Sequence, residues 1–453
     1  MSNIKTQNSR VSEKFVIKGG KPLNGTVNIR GAKNAALPVL SATLLTKEPC
    51  VIDNLPLIED VFRMIDILKG LGAEISWLSK RKVKIQCSHI DVTKLSPKLI
   101  GFLRGSILIL GPLLARFSKV KMPLPGGCFI GARSLDTHLD AFRQTGINAL
   151  LKNGFYCFEK DSSLRPLYEN FYSEKGESIK KTMKVVLREF SVTATENILS
   201  YSALRSKEII LKIADQDYQV QELVKVLKKM GAKIEYNGVN SIKISGTKDL
   251  KGFDHYLMSD PIEAGTFIVA ALATQGEVLI KNAEFSFLEL FLKRLKDFGA
   301  KIEILGPKLI KVFPSGKLTM DKIQSLPYPG IHTDLQPELG VLATSSNGLT
   351  SIHDPLFEGR LKYLEDLNKM GANIIFCDPH RAIVKGSTRL QGIEIPSPDL
   401  RAGAALIIAG LIAKGETVLG NIYQIDRGYE KIEEKLQKLG ANIKRVKNQK
   451  LYV

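Results

Sequence analysis

Cysteine is scarce in this chain, with five residues in 453: Cys50, Cys87, Cys128, Cys157 and Cys377. They are odd in number and widely scattered. No CxxC pair or Cys/His ligand spacing occurs, and the six histidines form no pair at ligand spacing, so a disulfide framework and a zinc site are not expected. A reducing cytoplasm is the default compartment. Long apolar runs are also missing. The longest, Ser106–Leu114 and Ala402–Ala413, fall short of the ~18 residues that span a bilayer, and glycine interrupts both. The opening MSNIKTQNSR is polar and lacks the apolar core of a secretory signal. No short repeat dominates, which excludes collagen-like, mucin-like and coiled-coil chains. Walker, GxGxxG and GxSxG motifs are absent, which argues against P-loop, Rossmann and α/β-hydrolase chemistry. Acidic residues are in deficit, 46 against 65 Lys and Arg, for a formal charge of +19. That balance favours anionic partners, whether nucleic acid, acidic headgroups or phosphorylated metabolites. The excess is spread out, with small clusters at Lys80–Lys84 and Lys444–Lys450 and no basic tail. Hydrophobic residues at 44% and charged residues at 25% are ordinary for a globular protein of several domains' length.

What is present is a long repeat. An amphipathic helix ends in a hydrophobic residue, Gly and usually Ala, and an alternating strand follows. The phrase occurs at Leu71-Gly72-Ala73, Met230-Gly231-Ala232, Phe298-Gly299-Ala300, Met370-Gly371-Ala372 and Leu439-Gly440-Ala441, with a degenerate copy at Thr145-Gly146-Ile147. Val224, Leu227 and Met230 show the helical spacing of apolar residues before the glycine. Glycine suits the left-handed position that ends a helix. Alternation as in Ile234-Glu235-Tyr236 reads as a strand, and turns such as Asn237-Gly238 and Gly306-Pro307 lead into a second strand, so hairpins are predicted. About 25 residues before each amphipathic helix lies a helix of small residues followed by a strand, as in AGTFIVAALATQGEVLIKNA. The unit is helix–strand–helix–strand–strand and about 70 residues long, too long for a solenoid. Six copies fill the chain, which suggests two domains of three. One wider spacing marks an insertion within the polar stretch Glu159–Lys184, read as a loop.

Four segments differ from repeat filler. In Gly31-Ala32-Lys33-Asn34 a strand gives way to a helix. Amides at a helix start beside a lysine suit a phosphate, and a glycine turn with a solvated lysine is the simpler reading. In Leu124–Arg133 three glycines and a proline surround Cys128 near Arg133. A cysteine is usually buried filler, but a glycine loop has little core to fill, and an adjacent Arg could lower a thiol pKa. Tyr423–Tyr429 (YQIDRGY) lies between a strand and the last helix. The acidic loop residues Asp260, Asp334, Asp399 and Glu358, the last near Arg360, form the fourth group. Asp260 and Asp399 each precede a helix and are read as N-caps.

The stretches GAKNAALPVL, LPGGCFIGAR, GTFIVAA, TDLQ, FEGR, DLRAGAALIIAG and IDRGYEKIEEKLQKLGA together resemble the UDP-N-acetylglucosamine enolpyruvyltransferases of the EPSP synthase-like enolpyruvyltransferase family. The resemblance covers nearly the whole chain. It implies an α/β fold of two inside-out α/β barrel domains, each of three repeated β-α-β-α-β-β subdomains, with the active site in the interdomain cleft. One domain, residues 32–259, would be inserted into the other, residues 1–31 plus 260–453. The implied reaction moves enolpyruvyl from phosphoenolpyruvate to the 3-hydroxyl of UDP-N-acetylglucosamine and releases phosphate, by addition and elimination, as the first committed step of peptidoglycan synthesis in the cytoplasm. By the same resemblance Cys128 is the general acid and the target of fosfomycin, and Asp334 is the base or orienter of the sugar hydroxyl. Lys33, Asn34, Arg133 and Arg427 bind phosphoenolpyruvate. Arg104, Arg133, Ser134, Leu135, Asp136, Thr137, Ser191, Val192, Asp334 and Leu356 face the UDP-sugar, while Arg360, Asp399 and Arg401 support the site. No cofactor, metal, nucleic acid or membrane span is expected.

The chain departs from the family pattern in places. Glu189, beside Arg188, replaces a lysine before Ser191-Val192-Thr193-Ala194-Thr195. Pro261 stands within Ser259–Gly265, Gln424 replaces a histidine, and an acidic-Pro-Glu turn reads Asp217-Tyr218-Gln219. These bear on nucleotide affinity more than on chemistry. Two other readings are a shikimate-pathway enolpyruvyltransferase, opposed by Cys128 and Lys33-Asn34, and a non-catalytic basic relative that binds nucleic acid, motivated by the +19 charge.

Overall fold

The computed structural model describes residues 13–126, 131, 134–161, 171–172, 178–179, 182–205 and 207–447. The chain separates into two compact units. One comprises residues 1–30 and 259–453 with 128–132, and the other residues 31–127 and 133–258. Each contains three sheets of the repeat, and the fold is α/β throughout.

The repeat glycine explains the local geometry. Gly72, Gly146, Gly231, Gly299, Gly371 and Gly440 all have φ between 82° and 109°. Each follows an amphipathic helix, from Glu59–Gly70 to Ile432–Lys438. A Cβ at positive φ costs energy, so glycine stops the helix and turns the chain into a strand. The predicted hairpins are present as antiparallel pairs: Glu74–Ser79 with Lys82–Gln86, Lys233–Tyr236 with Ser241–Ser245, Ile302–Gly306 with Leu309–Val312, and Asn373–Asp378 with Arg381–Lys385.

Five sheets have four strands with one parallel pair at an edge, as between Lys322–Gln324 and Leu349–His353. A buried helix makes the crossover between such strands. Pro261–Ala273, Gln336–Ser345 and Leu400–Ile412 fill this role in one unit and pack on one another. They are buried on nearly every face, which suits helices apolar all round. Small residues permit the close approach. A Cβ at Gly340 would stand 1.9 Å from the Tyr363 hydroxyl. In the other unit the corresponding helices are Lys33–Ala42, Leu110–Arg116 and Val192–Ala203.

Three local expectations change. Among the described residues no strand follows Asn442–Lys447 to complete the hairpin of the last repeat. The strand Glu13–Lys18 takes that slot, antiparallel to both Glu416–Gly420 and Asn442–Lys447. The insertion is not only loop: Phe155–Lys160 and Thr182–Val186 are strands, and Phe171–Tyr172 pairs with Ser178–Ile179. The Tyr423 segment opens with a short helix, Tyr423–Asp426, rather than continuing as loop.

Candidate active site

In the unit containing residues 31–127, Lys33 is the first residue of its helix and Asn34 the second. Lys33 Nζ lies 3.1 Å from Asp60 Oδ2, a carboxylate only 1% exposed, and 3.4 Å from Asn34 Oδ1. The attraction of opposite charges at this distance, beside a buried partner, holds the lysine side chain in place. Asn34 Nδ2 donates to the hydroxyl of buried Tyr218 at 3.1 Å. The Lys33 helix also packs on the turn Arg104–Ile109. Arg104 Nη2 donates to the Ser134 carbonyl at 3.4 Å, and burial lowers the Arg104 pKa.

Three contacts join the start of the helix Asp136–Gln144 to the segment 188–193. Thr137 Oγ1 donates to Glu189 at 2.7 Å, His138 Nε2 meets Thr193 Oγ1 at 3.1 Å, and Arg188 pairs with Asp140 at 3.0 Å. Burial first, and then the charge of Arg104, drives the His138 pKa down to about 3, so this imidazole is neutral at physiological pH. Ser191 caps the helix that begins at Val192 by accepting from Ala194 N. Leu135 is buried and Asp136 exposed.

The other unit gathers a charged cluster around Asp334. Arg360 Nη2 donates to Asp334 Oδ1 at 2.9 Å, and Arg401 Nε forms an ion pair with Oδ2 at 3.1 Å. Arg360 Nε also donates to Thr333 Oγ1 at 3.1 Å, and that hydroxyl donates to buried Asp354 at 2.6 Å. Asp399 caps the helix that carries Arg401, accepting from the amides of Arg401 and Ala402 at 2.8 and 3.1 Å. Asp260 does the same for Ile262 and Glu263. Both N-cap readings are thus observed. Arg427 is 7% exposed and donates to Gln424 Oε1 at 3.1 Å. Leu356 is exposed, its amide bonded to Asp354. Two guanidinium groups on one carboxylate hold it in a fixed orientation, with oxygen lone pairs that can accept a hydrogen bond from a hydroxyl.

Cys128 and Arg133 lie outside the described residues. Among those described, no group of three or more His, Cys, Asp or Glu is placed to hold a metal ion, and no helix is long and apolar enough to cross a membrane. Sequence reasoning missed Asp60, Tyr218, Thr333, Asp354 and Glu338. Asp60 resembles an ordinary acidic residue of a helix first turn. Glu338 lies four residues after Asp334, in the helix that begins at Gln336, and its spacing alone did not mark it.

A family model described as EPSP synthase (3-phosphoshikimate 1-carboxyvinyltransferase) matches residues 17–436. The UDP-N-acetylglucosamine 1-carboxyvinyltransferase of Koribacter versatilis is 38% identical over 437 residues, covering 96% of each chain. The protein named UDP-N-acetylglucosamine 1-carboxyvinyltransferase 2 of Carboxydothermus hydrogenoformans is 39% identical, covering 96% of this chain and 99% of its own. The solved enolpyruvyl transferase NikO from Streptomyces tendae superposes with a TM-score of 0.83 at 23% identity, over 96% of this chain and 99% of its own. EPSP synthase from Acinetobacter baumannii gives 0.71 at 18%, over 96% and 100%. From full-length similarity and shared fold, the chain belongs to the EPSP synthase family of enolpyruvyltransferases, within its UDP-N-acetylglucosamine 1-carboxyvinyltransferase branch.

Proposed function

We propose that the chain transfers the enolpyruvyl group of phosphoenolpyruvate to the 3-hydroxyl of UDP-N-acetylglucosamine, with release of phosphate, in peptidoglycan synthesis in the cytoplasm. The observation that carries this reading is the Asp334 carboxylate held by Arg360 and Arg401, in a chain 38% identical over its length to proteins of that name. In the addition step the sugar oxygen bonds to C2 of phosphoenolpyruvate, its proton passes to Asp334, and Cys128 delivers a proton to C3. A tetrahedral ketal results. In the elimination step the C2–O bond to phosphate breaks, C3 returns a proton, and the double bond is restored. Lys33, Asn34, Arg133 and Arg427 hold the phosphate and carboxylate, since fixed cations lower the barrier when preorganised. Arg104, Ser134 to Thr137, Ser191, Val192 and Leu356 face the UDP-sugar, and Asp399 supports Arg401. Fosfomycin would alkylate Cys128 from the same anion site.

The test is phosphate release from phosphoenolpyruvate with UDP-N-acetylglucosamine or shikimate-3-phosphate as acceptor. Release only with the UDP-sugar is expected. Release only with the shikimate ester would move the chain to the other branch. Salt-dependent RNA binding without any release would replace the enzymatic reading.

A further inference from the structure

Glu338 stands one turn beyond Asp334, in the helix Gln336–Ser345, and is fully buried. Its Oε1 accepts from Thr266 Oγ1 at 2.9 Å and from the Tyr429 hydroxyl at 3.3 Å, and those two hydroxyls are 2.8 Å apart. Its Oε2 meets no hydrogen-bond partner among the described residues. The Arg401 guanidinium lies over the Tyr429 ring, 5.4 Å from its centre, and reaches Asp334 at 3.1 Å. A line of contacts therefore runs from Glu338 through Tyr429 and Arg401 to Asp334, inside one unit. A glutamine would fill this space without the desolvation cost of an ionisable group.

We propose that Glu338 is a positioning residue for the transfer reaction: through Tyr429 and Thr266 its carboxyl fixes Arg401 against Asp334, and its protonation state sets how readily Asp334 takes the sugar proton. This rests on the reading of Asp334 as the group that acts on the sugar hydroxyl.

The charged and titratable groups facing Glu338 are Arg401 on the helix Leu400–Ile412, Asp334 before its own helix, Tyr429 after the helix Tyr423–Asp426, and Tyr363 on the helix Tyr363–Lys369. Burial raises the Glu338 pKa to about 7, with Arg401 opposing and Asp334 adding to the rise. At low pH Glu338 is neutral, and Arg401 acts on Asp334 undivided. Above about pH 7 Glu338 is ionised and shares Arg401. The repulsion between the two carboxylates is reciprocal, so Asp334 then accepts a proton more readily. Turnover should therefore rise as pH passes through that range.

The experiment measures kcat and both KM values from acid to mildly alkaline pH for wild type, E338Q, Y429F and D334N. E338Q keeps shape and an acceptor oxygen but cannot ionise. Its kcat should stay flat through the neutral limb, falling on the order of tenfold below wild type at pH 8, with KM values unchanged. Y429F removes a hydrogen bond to the carboxylate and should move the limb to higher pH. A wild-type limb retained in E338Q, with D334N inactive, overturns the positioning role alone. Normal turnover in D334N overturns the underlying reading instead. A melting series guards against misfolding. With its folded pKa raised above the ordinary carboxylate value, Glu338 costs wild type stability as pH rises from about 4.5 through about 7. E338Q should melt higher than wild type at pH 8, and the gap should narrow towards pH 5. A lower melting temperature for E338Q at pH 8 refutes the assignment.

Discussion

Replacing Arg360 by methionine removes the guanidinium that ties Asp334 to its surroundings while keeping much of the side-chain volume. The arginine side chain is 2% exposed and that of Asp334 17% exposed. The change deletes the 2.9 Å bond to Asp334 and the 3.1 Å bond to Thr333. It also deletes the contact over the Phe357 ring at 5.5 Å. Losing one partner of a buried pair costs ~3–5 kcal/mol when the remaining charge is stranded. Asp334 is not stranded, because Arg401 stays at 3.1 Å, and Thr333 keeps Asp354. A loss below that range, ~2–3 kcal/mol, is therefore expected. For a unit of about this size each kcal/mol moves Tm by ~2–4 °C, so the unit should melt ~4–12 °C earlier. Calorimetry measures that loss. Arg360→Lys keeps charge but not the planar fork, and should recover only part of the loss. Turnover should fall by orders of magnitude in the methionine variant, with a smaller change in KM. An Arg360→Met protein that melts with wild type and turns over normally would refute the claim that this arginine holds the candidate base.

Three further outcomes are expected. Tyr218→Phe deletes the hydroxyl that accepts from Asn34 at 3.1 Å and should raise the KM for phosphoenolpyruvate several-fold, at a stability cost of ~0.5–1.5 kcal/mol; steady-state kinetics and urea melts check both. Asp399→Ala removes two cap bonds at the start of the Arg401 helix and should cost ~1–2 kcal/mol in urea melts, while Asp399→Asn should lose much less because its amide oxygen still caps. Burial pushes the Cys50 thiol up to about 12 and that of Cys87 up to about 11, whereas Cys377 is exposed. Alkylation at pH 8 followed by peptide mapping should label Cys377 well before either buried thiol, and raising the pH to 9 should not reverse that order.

Local physics made much of this legible. The glycine after each amphipathic helix was readable because a left-handed residue is a local demand, met within one helical turn. The caps at Asp260 and Asp399 bond to amides two and three residues away, so their spacing announced them. The insertion was harder, since a polar stretch says nothing of whether it pairs with itself, and two of its short segments do. Lys33, Asn34, Asp334 and Arg427 stood out by type and motif, but their partners did not. Asp60 looks like a solvated first-turn acid until the fold buries it to 1% exposure beside Lys33.

The sequence by itself determined the repeat, the helix ends, the hairpins and the family, because each rests on short-range periodicity or on matched motifs. Only the tertiary structure decided which strand completes the last sheet. Glu13–Lys18 sits there between segments some 400 residues later in the chain. It likewise brought Arg360 and Arg401 to one carboxylate, and Glu338, Thr266 and Tyr429 to one buried column. The reason is physical. Burial and non-local pairing follow from how the three inner helices pack, and a carboxylate four residues from Asp334 reads the same in sequence whether it faces water or a guanidinium.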